Sequence, residues 1–192
     1  MVTTPDSNSD FSAISSSPLP LGTAIRELPG QYIKVLTKPS VQTFAEEKGK
    51  AAWGIVWVQL IALGIIDAIL SVIGALISPV DLSSTAAATG MSADALQTVA
   101  IVTTALFQIV LTPISFLVFG GILYLIIRVF GGKGRFVEQM YTTVLFGVPL
   151  VVLSTLLSLA PGVGSWLMYV PHIYSIVLFI LAMMAVHRRT AG

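Results

Sequence analysis

Residues 95–130 read ALQTVAIVTTALFQIVLTPISFLVFGGILYLIIRVF, an apolar run of 36 residues in which Arg128 is the only charged residue. At about 1.5 Å of rise per residue, one helix over this run would be roughly 54 Å long. The hydrocarbon core of a bilayer is only about 30 Å thick. The run is therefore too long for one upright membrane span and too short for a comfortable helical hairpin.

Three further apolar runs have the length of a membrane span, and they cover residues 52–77, 136–159 and 166–186. The whole chain has 192 residues, of which 55% are hydrophobic and only 10% are charged. A soluble domain of this size cannot bury so much apolar surface. The absence of cysteine excludes disulfides, thiolate nucleophiles and Cys-ligated metals.

The basic residues decide between four spans and five. All ten Lys and Arg lie in residues 26–50, 128–135 and 188–189, and none lies in residues 79–94 or 160–165. Four spans place every basic residue on the cytoplasmic side, whereas a fifth would move one cluster across the membrane. The sequence predicts an all-α polytopic membrane helix bundle with four transmembrane helices, five being the alternative, and a cytoplasmic N-terminus. The second helix would be tilted, with a kink near Pro113.

The segment ahead of the first span divides in two. Residues 1–27 are rich in Ser, Thr and Pro and lack the pattern of a signal peptide, which predicts a disordered cytoplasmic tail. Residues 28–50 fit two short amphipathic helices split at Pro39. These helices would lie on the inner headgroup layer or pack on the ends of the bundle. The transmembrane domain is predicted to occupy residues 51–192.

Residues 131–136, GGKGRF, join the second and third spans. Gly131, Gly132 and Gly134 are expected to supply positive φ angles to a tight turn before Phe136. The spacing is not that of a phosphate-binding loop, so no nucleotide or other cofactor is predicted. Within the third span, Gly147 and Pro149 predict a kink against a neighbouring helix. The basic residues near the membrane surface are expected to anchor the chain at anionic headgroups: Lys34, Lys38, Lys133, Arg135, Arg188 and Arg189.

Several short motifs together resemble the Yip domain family, the Ypt/Rab-interacting membrane proteins of eukaryotes and their bacterial and archaeal relatives. The resemblance runs from Leu28 to the C-terminus and rests on these residues: Tyr32, Leu36, Pro39, Phe44, Glu46, Trp53, Gly54, Gly131, Gly132, Phe136, Gly147 and Pro149. It implies an integral membrane protein without known catalysis, which in eukaryotes is linked to vesicle trafficking, Rab GTPases and membrane shaping. Eukaryotic members typically carry five spans, whereas four are predicted here. The short length and the compactness of the chain favour a prokaryotic-type member in the cell membrane.

Asp67 lies in the middle of the first span, where a charged side chain is costly. Helical spacing puts it on one face with Ser71, and a matching face of the second span brings Gln108 and Thr112 to a similar depth. Ser154, His172 and Ser175 are expected nearby. Such a cluster would either hold the helices together by hydrogen bonds or form a proton or ion relay. A second carboxylate for acid and base chemistry and a metal-ligand cluster are both missing from the pattern.

The predicted function is non-enzymatic: the protein organises or shapes membrane, or scaffolds membrane partners. In this hypothesis Tyr32, Leu36 and Phe44 insert into the inner headgroup layer. The expected partners are the lipid bilayer, anionic headgroups and a homo-oligomer or other membrane proteins, with no nucleic acid. The alternative is a small transporter or channel component that uses the Asp67 cluster.

Overall fold

The computed structural model of the protein describes residues 19–160 and 162–187. The described chain is 85% helical and contains no strand. A short 3-10 turn at Lys48–Lys50 follows the second of eight helices. The helices are α1 (Leu21–Thr37), α2 (Val41–Glu47), α3 (Trp53–Ile77), α4 (Ser83–Thr89), α5 (Ala93–Val129), α6 (Phe136–Ser158), α7 (Gly164–Leu167) and α8 (Tyr169–His187).

Four helical stretches are long and apolar enough to cross a membrane: α3, α5, α6 and the stretch Gly164–His187, which comprises α7 and α8. Their ends differ from the predicted spans by at most two residues. The long second run forms one helix, because α5 continues from Ala93 to Val129 without interruption. The prediction of an all-α bundle with four membrane-crossing helices is confirmed, and the five-span alternative is not.

Pro113 lies inside α5, one turn beyond a close approach between the backbones of α3 and α5. Proline has no N–H, so the carbonyl of Ile109, one turn earlier, lacks its usual helical partner. This carbonyl faces α3 at Gly64, where a Cβ would lie 3.0 Å from the Ile109 oxygen. A glycine at this crossing allows the two backbones to touch.

The bundle has a basic end, where Lys48, Lys50, Lys133 and Arg135 lie, and an opposite end, where α3 meets α4 and α6 meets α7. α6 is the central helix and contacts α1, α3, α5 and α8. Its buried residues run almost without a gap from Gln139 to Val148, whereas only Leu150 and Ser154 are buried in the remainder of the helix. The core is therefore concentrated in the half of the bundle nearer the basic end.

The first helix of the N-terminal segment begins earlier than predicted. α1 starts at Leu21, so residues 21–27 are helical, whereas residues 1–18 lie outside the described part of the chain. The physical reason is a stripe at helical spacing, Ala24, Leu28 and Val35, that is buried against the core. The predicted split at Pro39 is present, since α1 ends at Thr37 and α2 begins at Val41. Ser40 caps α2 by accepting a hydrogen bond from the Thr43 N–H.

The turn between α5 and α6 corrects the predicted role of its glycines. Of the three glycines in this turn, only Gly131 has a positive φ, at 86°. Gly132 and Gly134 are required for space instead: a Cβ on Gly132 would collide with Ile127 and His187, and one on Gly134 with Val186. The turn is therefore pressed against the end of α8, and its three glycines serve two different purposes.

We predict that Gly134→Ala destabilises the protein by about 1–3 kcal/mol, as expected for overpacking at a site whose nearest atoms include the Val186 carbonyl oxygen. The matched control is Gly121→Ala, because nothing lies within 4 Å of a Cβ at that position. The control should change the free energy of unfolding by less than about 1 kcal/mol. Unfolding in mixed detergent micelles measures both, and equal effects of the two substitutions would contradict the packing role of Gly134.

Candidate functional site

Residues 21–50 form an N-terminal hairpin that lies along the side of the bundle. Leu21 packs beside Gly54 at the start of α3, and the carbonyl of Leu36 at the other end of α1 accepts a 2.7 Å hydrogen bond from the Tyr174 hydroxyl. The chain then turns, and Lys48 donates a 2.8 Å hydrogen bond to the carbonyl of Ala185. Tyr174 and Ala185 are eleven residues apart in α8, which is about 16 Å of helix. The hairpin therefore covers roughly half the length of α8.

Two hydrogen bonds between side chains fix α1 to the bundle. The Tyr141 hydroxyl of α6 donates to Gln31 Oε1 at 2.8 Å, and the Tyr32 hydroxyl donates to Gln59 Oε1 of α3 at 3.0 Å. Burial raises the pKa of Tyr32 to about 12. The phenol is therefore neutral at physiological pH and remains a hydrogen-bond donor.

α2 is fixed by an aromatic contact. Phe44 has no exposed surface, and its ring meets that of Phe146 edge-on at a centroid distance of 6.0 Å. Leu36 also packs against the core. The prediction that Tyr32, Leu36 and Phe44 insert into the headgroup layer is therefore wrong, because Phe44 is fully buried and Tyr32 and Leu36 pack, partly buried, against the core. The segment packs on protein, as in the second expected position, but it lies along the side of the bundle instead of on its ends.

Ion pairs close the base of the hairpin around Glu47, which is 1% exposed. Its two carboxylate oxygens lie 2.7 Å from Lys34 Nζ and 2.9 Å from Lys50 Nζ. Lys34 also contacts Glu46 at 3.0 Å, and Lys50 lies 3.5 Å from Glu27. The cluster joins α1, α2 and the turn that leads into α3, and it holds one buried carboxylate between two cations.

The predicted lipid anchors differ in their surroundings. Hydrogen bonds to Glu47 and Glu46 raise the pKa of Lys34, and its ammonium group is engaged by protein rather than free for a headgroup. Lys38 and Lys133 are exposed, and Arg135 is exposed but pairs with Glu138 at 2.8 Å. Arg188 and Arg189 lie outside the described residues.

A second polar network ties the glycine turn to α8. His187 accepts a hydrogen bond from the Gly134 N–H at Nδ1, and its Nε2 lies 3.0 Å from Gln139 Oε1. Gln139 in turn donates to the Gly120 carbonyl at 2.9 Å. Gln139 is fully buried and was not among the predicted site residues. The available signal was an amide one turn into a predicted membrane span.

The predicted polar cluster is divided between two helix pairs. On α5, Thr112 lies 3.4 Å from Gln108, and Asp67 and Ser71 lie on the neighbouring α3. Asp67 Oδ1 is buried and has no hydrogen-bond partner among the described residues. The expectation that Gln108 or a serine bonds to Asp67 is therefore not met.

The other half of the predicted cluster lies between α6 and α8. Ser154 Oγ lies 2.8 Å from His172 Nδ1 and donates to the Met168 carbonyl, and Ser175 donates to the His172 carbonyl. No hydrogen bond within residues 19–160 and 162–187 joins this group to Asp67. Ser154, His172 and Ser175 were expected near Asp67, but the two groups face different neighbours.

The family model of the Yip1 domain matches residues 33–192. The chain belongs to the Yip1 domain family. With its four membrane-crossing helices, it is a membrane protein of this trafficking family. No curated protein and no solved structure matches the chain.

The Yip1 domain match begins at Ile33, inside α1, and therefore includes the tip of the hairpin and all of α2. The Phe44 contact with Phe146 and the pairing of Glu47 with Lys34 both fall within the matched region. The hairpin from Ile33 onward is thus part of the matched Yip1 domain, and residues 21–32 precede the match.

We predict that Glu47→Gln lowers the free energy of unfolding by about 2 kcal/mol, the scale of a hydrogen bond to a charged group. The substitution keeps the side-chain shape but leaves Lys34 and Lys50 without their shared counterion. Glu46→Gln is the matched control, since the neighbouring carboxylate has the same chemistry but an exposed side chain. The control should leave the free energy of unfolding unchanged, and a larger effect of Glu46→Gln would contradict the assignment.

Proposed function

We propose that the protein shapes or organises the membrane, without catalysis, because its bundle is wider at the basic end than at the opposite end. The observation that carries the proposal is the docked hairpin. α1 and α2 add two helical segments beside α6 and α8 in one half of the bundle. The nearly continuous burial of α6 from Gln139 to Val148, and its sparser burial beyond, support the same asymmetry.

A protein of unequal width acts as a wedge. A helix is about 10 Å across with its side chains, so two additional segments enlarge the protein's footprint in one leaflet more than in the other. Lipids around such a wedge pack with least strain when the bilayer bends toward the narrow end. In this mechanism the hairpin acts through its volume and its attachment, not through inserted side chains.

The orientation of the bundle in the membrane and its partners are proposed from the basic end and from the exposed apolar surface of α5. The positive-inside rule favours a cytoplasmic basic end, and a prokaryotic-type member would place it at the inner face of the cell membrane. Lys133 and Arg135 are exposed at the basic end, at positions suited to anionic headgroups. α5 contacts chiefly α3 and presents apolar side chains on its remaining surface to lipid, to a second copy or to another membrane protein.

We predict that vesicles reconstituted with the protein become smaller or tubular and that Phe44→Ala removes this effect. Loss of a fully buried Phe costs about 3–5 kcal/mol, and here that cost falls on the attachment of α2 to α6. Electron microscopy of vesicles at equal protein-to-lipid ratio measures the shape. Faster tryptic cleavage after Lys34, which pairs with Glu47 in the docked hairpin, verifies that the hairpin has come away while α3, α5, α6 and α8 remain in the membrane.

Ile33→Ala is the control that separates a wedge from inserted side chains. Ile33 lies on the same hairpin but is 63% exposed, so its truncation leaves the docked shape intact. Vesicle shape should then match that of the wild type. The proposal is wrong if Phe44→Ala deforms vesicles as well as the wild-type protein does, or if Ile33→Ala alone abolishes deformation.

One observation favours a second candidate, a small transporter or channel component. The buried Asp67 Oδ1 has no hydrogen-bond partner among the described residues, as a site awaiting a proton or ion would. This candidate expects a proton flux into vesicles that Asp67→Asn abolishes, measured with an entrapped pH-sensitive dye. The wedge proposal expects no flux that depends on Asp67 and unchanged vesicle deformation by Asp67→Asn, so the two candidates are separated by one variant.

A further inference from the structure

A cavity of about 410 Å³ lies between α5, α6 and α8. Its walls are mainly apolar, with Phe116 and Phe119 from α5, Phe146 and Val151 from α6, and Ile176 and Phe179 from α8. It opens sideways, because Phe119 and Ile176 line it and are each 60% exposed on the outer surface of the bundle. The cavity is therefore a groove that faces the surrounding lipid.

The floor of the groove is set by residues that the sequence had suggested as a kink in α6. Gly147 lines the groove, and a Cβ on it would lie 3.1 Å from the Phe116 ring. Phe146 and Leu150, on either side along α6, are 3% and 6% exposed. α5 thus reaches α6 at Gly147 through the Phe116 ring, and the groove lies next to this contact.

The polar groups on the groove lie where the interfacial part of a lipid could meet them. His172 and Ser175 line it near the start of α8, remote from the basic end. His172 Nδ1 is engaged by Met168 O and Ser154 Oγ, whereas Nε2 has no hydrogen-bond partner among residues 19–160 and 162–187. The Met168 carbonyl can only accept and Ser154 already donates to it, so Nδ1 carries the proton of the neutral imidazole and the free Nε2 is an acceptor; the Ser175 hydroxyl is used by the His172 carbonyl. The two side chains therefore mark the polar end of the groove, at the depth of a lipid's ester region, without offering a free donor.

Such walls suit hydrocarbon better than water, since an ordered water needs two to four polar partners and nearly all of the exposed lining is apolar. The medium around a membrane-crossing bundle is hydrocarbon, and the groove opens directly to it. We propose that the groove binds one acyl chain of a bilayer phospholipid, whose ester region lies at His172 and Ser175 and whose chain runs between Phe119, Phe146 and Phe179. This site is independent of the wedge, because it lies between α5, α6 and α8 and uses no residue of the hairpin.

The test uses the full chain in phosphatidylcholine vesicles that contain a phosphatidylcholine with a photoreactive diazirine on one acyl chain. After illumination, mass spectrometry maps the labelled peptides. The expected result is labelling of α6 at residues 146–151, where the groove gives a chain access to an otherwise central helix. Ile176→Trp fills the groove and should lower that labelling about tenfold, which corresponds to about 1.4 kcal/mol of lost binding.

Val177→Trp is the matched control, because Val177 is the next residue, is exposed and does not line the groove. It should leave α6 labelling unchanged, and neither variant should alter labelling of the exposed face of α5. Ser175→Leu provides a second filling variant if Ile176→Trp does not fold. Absent α6 labelling, or equal labelling in filling and control variants, overturns the proposal. So does a covalent dimer linked through this groove, which would make a second copy its occupant.

Discussion

α6 carries polar side chains into the centre of an apolar bundle, and each of them must find a hydrogen-bond partner without help from water. Thr142 satisfies itself on the carbonyls of its own helix. Tyr141 and Gln139 cannot, and their partners come from distant parts of the chain, Gln31 in α1 and His187 at the end of α8. The hairpin and the last helix are thereby held to α6 by bonds that an apolar medium makes expensive to break.

Close backbone contact sets the second constraint, since within a membrane apolar side chains gain little by leaving lipid for protein. Helices associate there through close packing of complementary surfaces, and glycines in the half nearer the basic end make room for it. Gly120 admits the Met140 side chain, and Gly132 and Gly134 admit the end of α8. The carbonyl and amide groups that these approaches expose are the ones that Gln139 and His187 bind. The hydrogen bonds of the buried polar groups and the close packing of the helices therefore depend on the same few residues.

The sequence predicts the bundle well because the length of an apolar run and the distribution of basic residues both depend only on position along the membrane normal. The span ends and the undivided α5 follow from these two properties, and the break between α1 and α2 follows from Pro39. They do not determine which side of each helix faces which neighbour. An apolar stripe at helical spacing identifies which side of α1 is buried but not whether lipid or α6 covers it, so Phe44 was expected in the headgroup layer. Depth likewise predicted Gln108 and Thr112 level with Asp67, with Ser154 nearby, but could not give the directions of these side chains around the bundle.

The turn between α5 and α6 likewise depends on a neighbour that the local sequence does not identify. A cluster of glycines predicts a turn, yet only Gly131 adopts a conformation that disfavours other residues. The need for Gly132 and Gly134 comes from the end of α8, more than fifty residues away, and is invisible until α8 is placed.

Two sides of the central helix finally make different demands on the surrounding lipid. On one side α6 is covered by the hairpin, whose Phe44 packs on Phe146. On the side between α5 and α8, α5 stays mainly with α3 instead of closing on α8, which leaves the groove beside Phe146 and Phe179 open. Four spans alone do not enclose a central helix on every side. The hairpin supplies one missing wall, and along the groove the remaining wall is lipid.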